Sequence, residues 1–504
     1  MSRRFPSSRP DARFSVQFGA LGAVLILAPL MLAGCASGAD RPVEVAVIGD
    51  PSAPFQTGPR LPLAAQLIRS ATVEGLVGFD EQGRVIPALA DRWIVTDDGQ
   101  SYIFRLRDGT WPDGSNITGD TARSALLQAI TGLRGTPLGA DLAGIQEIRA
   151  MAGRVLEIRL NGPVPDLLHL LAQPELGLGR KGRGAGPMKL SRDGRTAVLK
   201  PIPPEDRGLP SEEDWSLRSR LLHLHALSAA TAIERFDNGE SDIVLGGRIE
   251  DFPRLDIAGL SRGAIRLDPV SGLFGLAVLR GDGFLVTPAN REAVAMAIDR
   301  DALIAAFSVG GWTASNRIVS FGAEGDPGLV GERWSDMSLA ERRSMATSRV
   351  SSWRGSGKRT VVLRIAMPTG PGADVLFARL NDDLQSIGIE SRRVGEAAAA
   401  DLRLVDMVAR YPRASWFLNQ LSCANFRGLC NSGADTRAAQ AIAQVSASAR
   451  ASLQAEAEAQ LMAANTFIPF GPPIRWSLVS GDVTGFAPNR WGSHPLMPLA
   501  MRPK

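Results

Sequence analysis

The segment Val408-Ala409-Arg410-Tyr411-Pro412-Arg413-Ala414-Ser415-Trp416-Phe417 puts two guanidinium groups three positions apart, among large aromatic side chains. A guanidinium presents a planar fork of donors that matches a carboxylate or phosphate through two parallel hydrogen bonds, and it repels an ammonium group. Tyr411 and Trp416 add broad apolar faces with a polar tip, which suit a small-molecule pocket or a packed core. Arg410 therefore has two readings: an arginine turned to solvent in a variable loop, or an anchor for an anionic group of a ligand.

Other residues able to do chemistry are few. His223 and His225 lie two apart on an expected strand and so share a face. Two imidazoles could hold a metal, but no acidic or cysteine partner clusters near them in sequence, and a solvated strand face is expected. Gly177-Leu178-Gly179-Arg180-Lys181-Gly182 spells GxGxxG, yet a helix-like run at His169-Leu170-Leu171-Ala172 precedes it and Pro187 follows. A dinucleotide site needs a strand before and a helix after, so a flexible basic loop is expected. With four histidines and no Gly-x-Ser-x-Gly, HExxH or Walker loop, no catalytic constellation assembles; no enzyme activity, cofactor or metal is expected. Cys423 and Cys430 read as a disulfide closing a short loop, worth about 2–3 kcal/mol by chain entropy. Zinc would need two further ligands, and His494 is far away in sequence.

The first residues read as an export signal. Arg3, Arg4, Arg9 and Arg13 precede an apolar run over 18–32, too short for a membrane span, and Leu32-Ala33-Gly34-Cys35 follows directly. That last pattern is the one cut before a cysteine that receives lipid, so residues 1–34 are expected to be a lipoprotein signal peptide and Cys35 the lipidated residue. Pro6 stands where a twin-arginine signal wants a large apolar residue, which favours the general secretory route. The leader carries most of the +4 formal charge of the 504 residues, so the high pI is no nucleic-acid footprint. What remains exceeds one typical core, and two or three lobes are expected.

The elements that must position these residues are punctuated by turns. Residues 43–48 alternate into a strand, 80–83 and 97–99 are turns, 87–93 a short apolar helix or helical turn, 102–106 a strand, and Thr118 or Asp120 caps a helix through Ile130. Strands follow at 221–227 and in Gly239-Glu240-Ser241-Asp242-Ile243-Val244, with a helix over 229–236 between them. One helix is expected over 291–307. A βαβ unit runs from a strand at 361–366 through a helix at 373–387, stopped by Gly388, to a strand at Ile389. A last Ala-rich helix covers about 446–464.

The order and wording of these pieces resemble solute-binding protein family 5 of the ABC importers, which takes dipeptides, oligopeptides and nickel. The resemblance rests on Glu74-Gly75-Leu76-Val77, Pro87-Ala88-Leu89-Ala90, Asp97-Asp98-Gly99 and Asp113-Gly114, on Gly184-Ala185-Gly186-Pro187, on Gly239-Glu240-x-Asp242, and on Ala297-Ile298-Asp299-Arg300. It implies an α/β, two-lobed periplasmic binding protein fold (type II, peptide-binding class) with an extra subdomain and a ligand cleft between the lobes. The implied limits are a tether at 35–42, a first lobe from 43–75, 185–270 and 475–504, an accessory subdomain at 76–184, and a second lobe at 271–474. It implies a monomeric lipoprotein of the bacterial envelope, anchored to the membrane by its N-terminal lipid. Such a protein passes a peptide-like or other small solute to an ABC permease and ATPase and binds no nucleic acid. A ligand-binding sensor, or a degenerate relative acting as an interaction protein, are the alternatives. In the family's segment "A-D-Y-x-x-P-x-x-F-L" an aspartate pairs with a peptide's free amine; here Arg410 stands at that position. The resemblance therefore marks Arg410, Tyr411, Arg413 and Trp416 as ligand-binding candidates but carries no amine anchor with it.

Overall fold

The alternation in Val43–Ile48 sorts its side chains onto the two faces of a sheet. Val43, Val45 and Val47 pack with Ala64, Leu67 and Ile68 of the helix Leu63–Thr72, while Ala46 packs on the opposite face with Ala232 of the helix Ala229–Asp237. The computed structural model describes residues 41–502 apart from 163, 165, 256–262, 329, 356–359 and 427; the leader and Cys35 lie outside the described residues. Val43–Ile48 sits fourth in a seven-stranded sheet. In order, its strands are Met188–Asp193, Thr196–Pro201, Leu222–Leu227, Val43–Ile48, Ile243–Gly247, Trp476–Val479 and Ile265–Leu267. Val43–Ile48 pairs in parallel with both neighbours, and the outer pairings are antiparallel.

A second, five-stranded sheet runs Ile389–Gly395, Val361–Met367, Leu402–Val408, Gly272–Val278, Phe467–Gly471. Val361–Met367 and Ile389–Gly395 are parallel and joined by the helix Pro371–Ser386, whose Leu376, Leu380 and Leu384 are fully buried. Gly388, at φ 83°, takes the left-handed conformation that ends this helix and turns the chain into the next strand. The chain passes between the two large sheets at 268–271 and again at 472–475. These crossings are tied together where the Asp268 N–H donates to the Arg475 carbonyl at 3.0 Å.

A third sheet, antiparallel, orders Ala90–Val95, Ser101–Leu106, Val155–Leu160 and Ile145–Ala150. The helix Gly119–Gly132 leans on it, capped reciprocally by Thr118 and Thr121. Its apolar side is continuous with a buried cluster holding Trp416, Phe417 and Leu461, so this sheet and the 414–420 helix share one core.

Two expected elements are corrected. Residues 87–93 are no helix: Val85–Pro87 pairs with Val77–Phe79, and Trp93 sits opposite Phe104 in the third sheet. The short apolar run fits either period, and pairing with Ser101–Leu106 decides it. The helix expected over 291–307 is two, Pro288–Ala297 and Arg300–Ala305. Asp299 breaks it, capping the second helix through the Ala302 N–H while its own N–H donates to Asp383 Oδ2 at 3.1 Å.

Gly247 faces Trp476 across the seven-stranded sheet so closely that a Cβ there would lie 2.0 Å from the indole Cδ2. Trp476 is fully buried and donates through Nε1 to the Arg248 carbonyl at 2.8 Å, a bond it would lose by giving way. Gly247→Ala is expected to cost about 1–3 kcal/mol of overpacking, read as a lower urea midpoint with an unchanged slope.

Candidate functional site

A cavity of about 830 Å³ opens where the two large sheets meet the third. Ile48, Gly49 and Gly246 come from the carboxyl ends of parallel strands, where open α/β sheets present their ligands. Trp476 and Arg475 come from a crossing, Asp406 to Val408 from the five-stranded sheet, and Thr136, Leu138, Gln173 and Glu175 from the third-sheet region. The volume falls in the usual range for small-molecule sites.

Arg410, Tyr411 and Trp416 line this cavity, and Arg413 is not among its lining residues. Arg410 does not offer its fork to the cavity. Its Nη1 and Nη2 donate to Glu175 Oε1 and Oε2 at 2.8 and 2.6 Å, a bidentate pair with Glu175 3% exposed. Burial alone would raise the Glu175 carboxyl, but the Arg410 charge and hydrogen bonds win and hold it below the usual range. Gln173 Nε2 adds a bond to the Arg410 carbonyl at 3.0 Å. The Tyr411 hydroxyl donates to Asp141 Oδ2, and Ser415 Oγ donates to Asp141 Oδ1 at 2.7 Å. Burial, with Asp141 beside it, pushes the Tyr411 phenol well above its ordinary range, so it stays a donor. Arg413 turns to Asp166, with Nε 3.3 Å from Oδ1. Trp416 is buried and meets Phe417 edge-on.

The 410–415 segment is thus bound to three carboxylates from 141–175. No pattern in the sequence flags Asp141, Asp166 or Glu175 as its partners, because they lie more than two hundred residues away. Their only local signal is an acidic residue in an otherwise apolar run, as at Asp166-Leu167-Leu168.

The other candidates are placed as follows. His223 and His225 do share a strand face, and the expectation that no acid lies near them is corrected. Glu44, on the neighbouring strand in register with His223, holds both, at 2.8 Å to His223 Nδ1 and 2.9 Å to His225 Nε2. Strand pairing, absent from local sequence, supplies that acid. Among the described residues no cluster of three or more His, Cys, Asp or Glu has metal-binding geometry. The GxGxxG segment is a tight hairpin, Gly179–Arg180 against Arg183–Gly184, with Lys181 and Gly182 at positive φ. Cys423 and Cys430 are joined with Cα atoms 5.1 Å apart, and the loop they close carries Asn425 and Phe426 to the cavity wall.

Residues 84–191 match the family model described as bacterial extracellular solute-binding proteins, family 5 Middle. Two solved structures superpose over 92% of this chain with TM-scores of 0.76. One is OppA of Haemophilus influenzae in complex with RPPGFSPFR, 17% identical and covered over 99% of its length. The other is the murein tripeptide binding protein MppA of Escherichia coli, 20% identical and covered in full, at 100%. The match to solute-binding protein family 5 lies within residues 84–191. The fold of the chain is the two-lobed periplasmic binding protein fold of the peptide-binding class. A curated relative, the "Probable deoxycholate-binding periplasmic protein YgiS" of Escherichia coli strain K12, is 33% identical over 131 residues, 22% of this chain. That alignment spans about a quarter of the relative's length, 24%.

The likeness to solute-binding protein family 5 gives the Arg410 position its interest. A guanidinium closed on Glu175 replaces an open carboxylate with a neutral, self-satisfied pair in the cavity wall. Arg410→Ala leaves Glu175 buried without its counter-charge and is expected to cost about 2–4 kcal/mol, short of the fully buried limit because Arg410 is 29% exposed. Glu175→Gln on that background recovers part of the loss, and a double-mutant cycle by denaturant melts measures both.

Asp166 gives a pH signature. Burial raises its carboxyl to about 7 against the pull of Arg413, with Glu324 and Asp141 adding to the rise. An acid raised in the folded state binds its proton in the folded chain between the unfolded value and about 7, so its charge costs stability as pH rises through that window. Asp166→Asn is therefore expected to gain stability on wild type from pH 5 to pH 8, and parallel melting curves at the two pH values would contradict this.

Proposed function

We propose that this protein is the solute-receiving component of an ABC importer, capturing a peptide-like or other small organic solute in the cavity between its two large sheets. It would be exported, tethered through lipid on Cys35 on the periplasmic side of a bacterial membrane, and act as a monomer that hands its solute to a permease driven by an ATPase. The observation that carries the reading is the 830 Å³ cavity at the crossing of the two lobes, walled by apolar rings, paired charges and strand ends. A closing cleft works if the closed form makes contacts with solute that the open form lacks, since a ligand shifts an equilibrium only through differential affinity. Two short crossings joined by one backbone hydrogen bond suit that motion.

Proteins similar to this chain are named for different cargo: a nonapeptide complex, a murein tripeptide, deoxycholate. The Arg410–Glu175 pair supports a solute whose recognition does not run through the family's amine-binding position. Tyr411, Trp416 and Trp476 would supply apolar contact, with Arg410 and Glu175 closing one wall.

The reading is tested by native mass spectrometry of the chain purified without refolding. One defined non-covalent adduct is expected, and its removal should expand the scattering profile. A chain that arrives empty and stays open across libraries of peptides and bile acids would favour an envelope interaction role instead. A closing chain encoded beside a sensor kinase, with no permease, would favour signalling.

A further inference from the structure

The cavity lies between the two chain crossings and a seam that no covalent connection ties. Residues 73–187, which carry the third sheet, leave after the helix Leu63–Thr72 and return at the strand Met188–Asp193, so they belong to the seven-stranded half. They are fastened to it as well: Arg69 Nε donates to the Pro174 carbonyl at 2.7 Å, and Trp491 Nε1 to the Gly83 carbonyl at 2.8 Å. Glu324 and Arg413 lie between Gly272–Val278 and Phe467–Gly471, in the five-stranded half. Along the chain, only 268–271 and 472–475 join the halves. A rotation at those crossings that opens the cavity therefore parts the seam.

Most of the seam is well matched. The short helix Pro137–Asp141 packs on Ala414–Gln420, Arg410 closes on Glu175, and Asp141 accepts from Tyr411 and Ser415. Asp166 is the exception. Its side chain is 3% exposed, yet neither carboxylate oxygen has a hydrogen-bond partner in another residue. Arg413 Nε comes within 3.3 Å of Oδ1 but is not aligned to donate. Two more acids, Asp141 and the exposed Glu324, add negative charge at this point. The other ionisable groups around it are occupied elsewhere. The Tyr102 hydroxyl donates to the Val164 carbonyl at 3.0 Å, Arg410 holds Glu175, and the His169 ring turns to Phe79 and Trp491. A buried carboxylate with one misaligned cation and two acids beside it is held more readily as the neutral acid.

We propose that Asp166 is a proton-operated latch on the cleft: protonated, it lets the seam close without solute, and ionised, it loosens the seam. The inference rests on the closing cleft of the solute-receptor reading, yet the latch itself needs no solute. In the open form Asp166 meets water and ionises in the ordinary carboxylate range. In the closed form burial raises the carboxyl to about 7 against the pull of Arg413, with Glu324 and Asp141 adding to the rise. The closed form thus keeps a proton that the open form gives up. Its ratio to the open form falls about tenfold per pH unit between those two values, and levels off above them. The neighbouring pairs do not supply this response. Arg410 holds the Glu175 carboxyl below its usual range, and burial with Asp141 holds the Tyr411 phenol well above its own, so neither titrates in that window.

The test is small-angle scattering of the full mature chain at pH 5 and pH 8 without added solute, native mass spectrometry confirming that no adduct is bound. Near-UV circular dichroism confirms that each protein is folded at both pH values. Wild type is expected to expand at pH 8, its closed-to-open ratio falling about a hundredfold from pH 5. Asp166→Asn, which stays neutral, should be as compact at pH 8 as at pH 5. Glu324→Gln, at an exposed position, guards against a folding failure of the first variant. It removes one charge that disfavours the ionised acid, so it should expand less than wild type at pH 8. Wild-type scattering that is the same at both pH values, or an expansion that Asp166→Asn retains, would overturn the latch. Solute capture is read separately, from the adduct. A chain that takes no solute from any library but shows the response keeps the latch and loses the receptor reading. One that takes solute and shows no response keeps the receptor and loses the latch.

Discussion

A guanidinium carried into a cavity wall loses its water and must find a carboxylate, and Arg410 finds Glu175 from 235 residues away. That pairing, with Tyr411 on Asp141 and Arg413 on Asp166, binds the segment before the 414–420 helix to the third-sheet region. Each acid there is almost fully buried, so each would be costly alone. Together they set where Trp416 and Phe417 can lie, and so close the apolar core that this region shares with the five-stranded half. The cavity is what is left between that joint and the two chain crossings.

The same constraint explains why the cavity is uneven in character. Where protein charges can meet with short, bidentate geometry, as at Arg410 and Glu175, the wall is neutral and complete. At Asp406 one oxygen accepts from Arg475 at 2.7 Å while the other has no donor, and the Glu250–Arg248 pair nearby is longer, at 3.7 Å.

Much of the scaffold was legible because its signals are local. Thr118 caps its helix, Gly388 ends another with a left-handed turn, and the period-2 pattern of Val43–Ile48 is a strand. Legibility failed where two periods fit equally, as at 87–93, and where a single side chain interrupts a helix by capping its successor, as Asp299 does. It failed again at His223 and His225, whose acid, Glu44, comes from a strand 179 residues earlier.

The sequence by itself determined a likeness to solute-binding protein family 5 and most strands and helices, with the export leader as an expectation, since motif order, capping and periodicity are written in neighbouring residues. Only the tertiary structure decided what Arg410 does. A fork that can grip a ligand anion can equally grip a carboxylate of its own chain, and which one it meets depends on distances that folding creates. The same holds for Asp406 and Glu250, unremarkable in sequence, which meet Arg475 and Arg248 in one cavity wall only when two sheets bring them together.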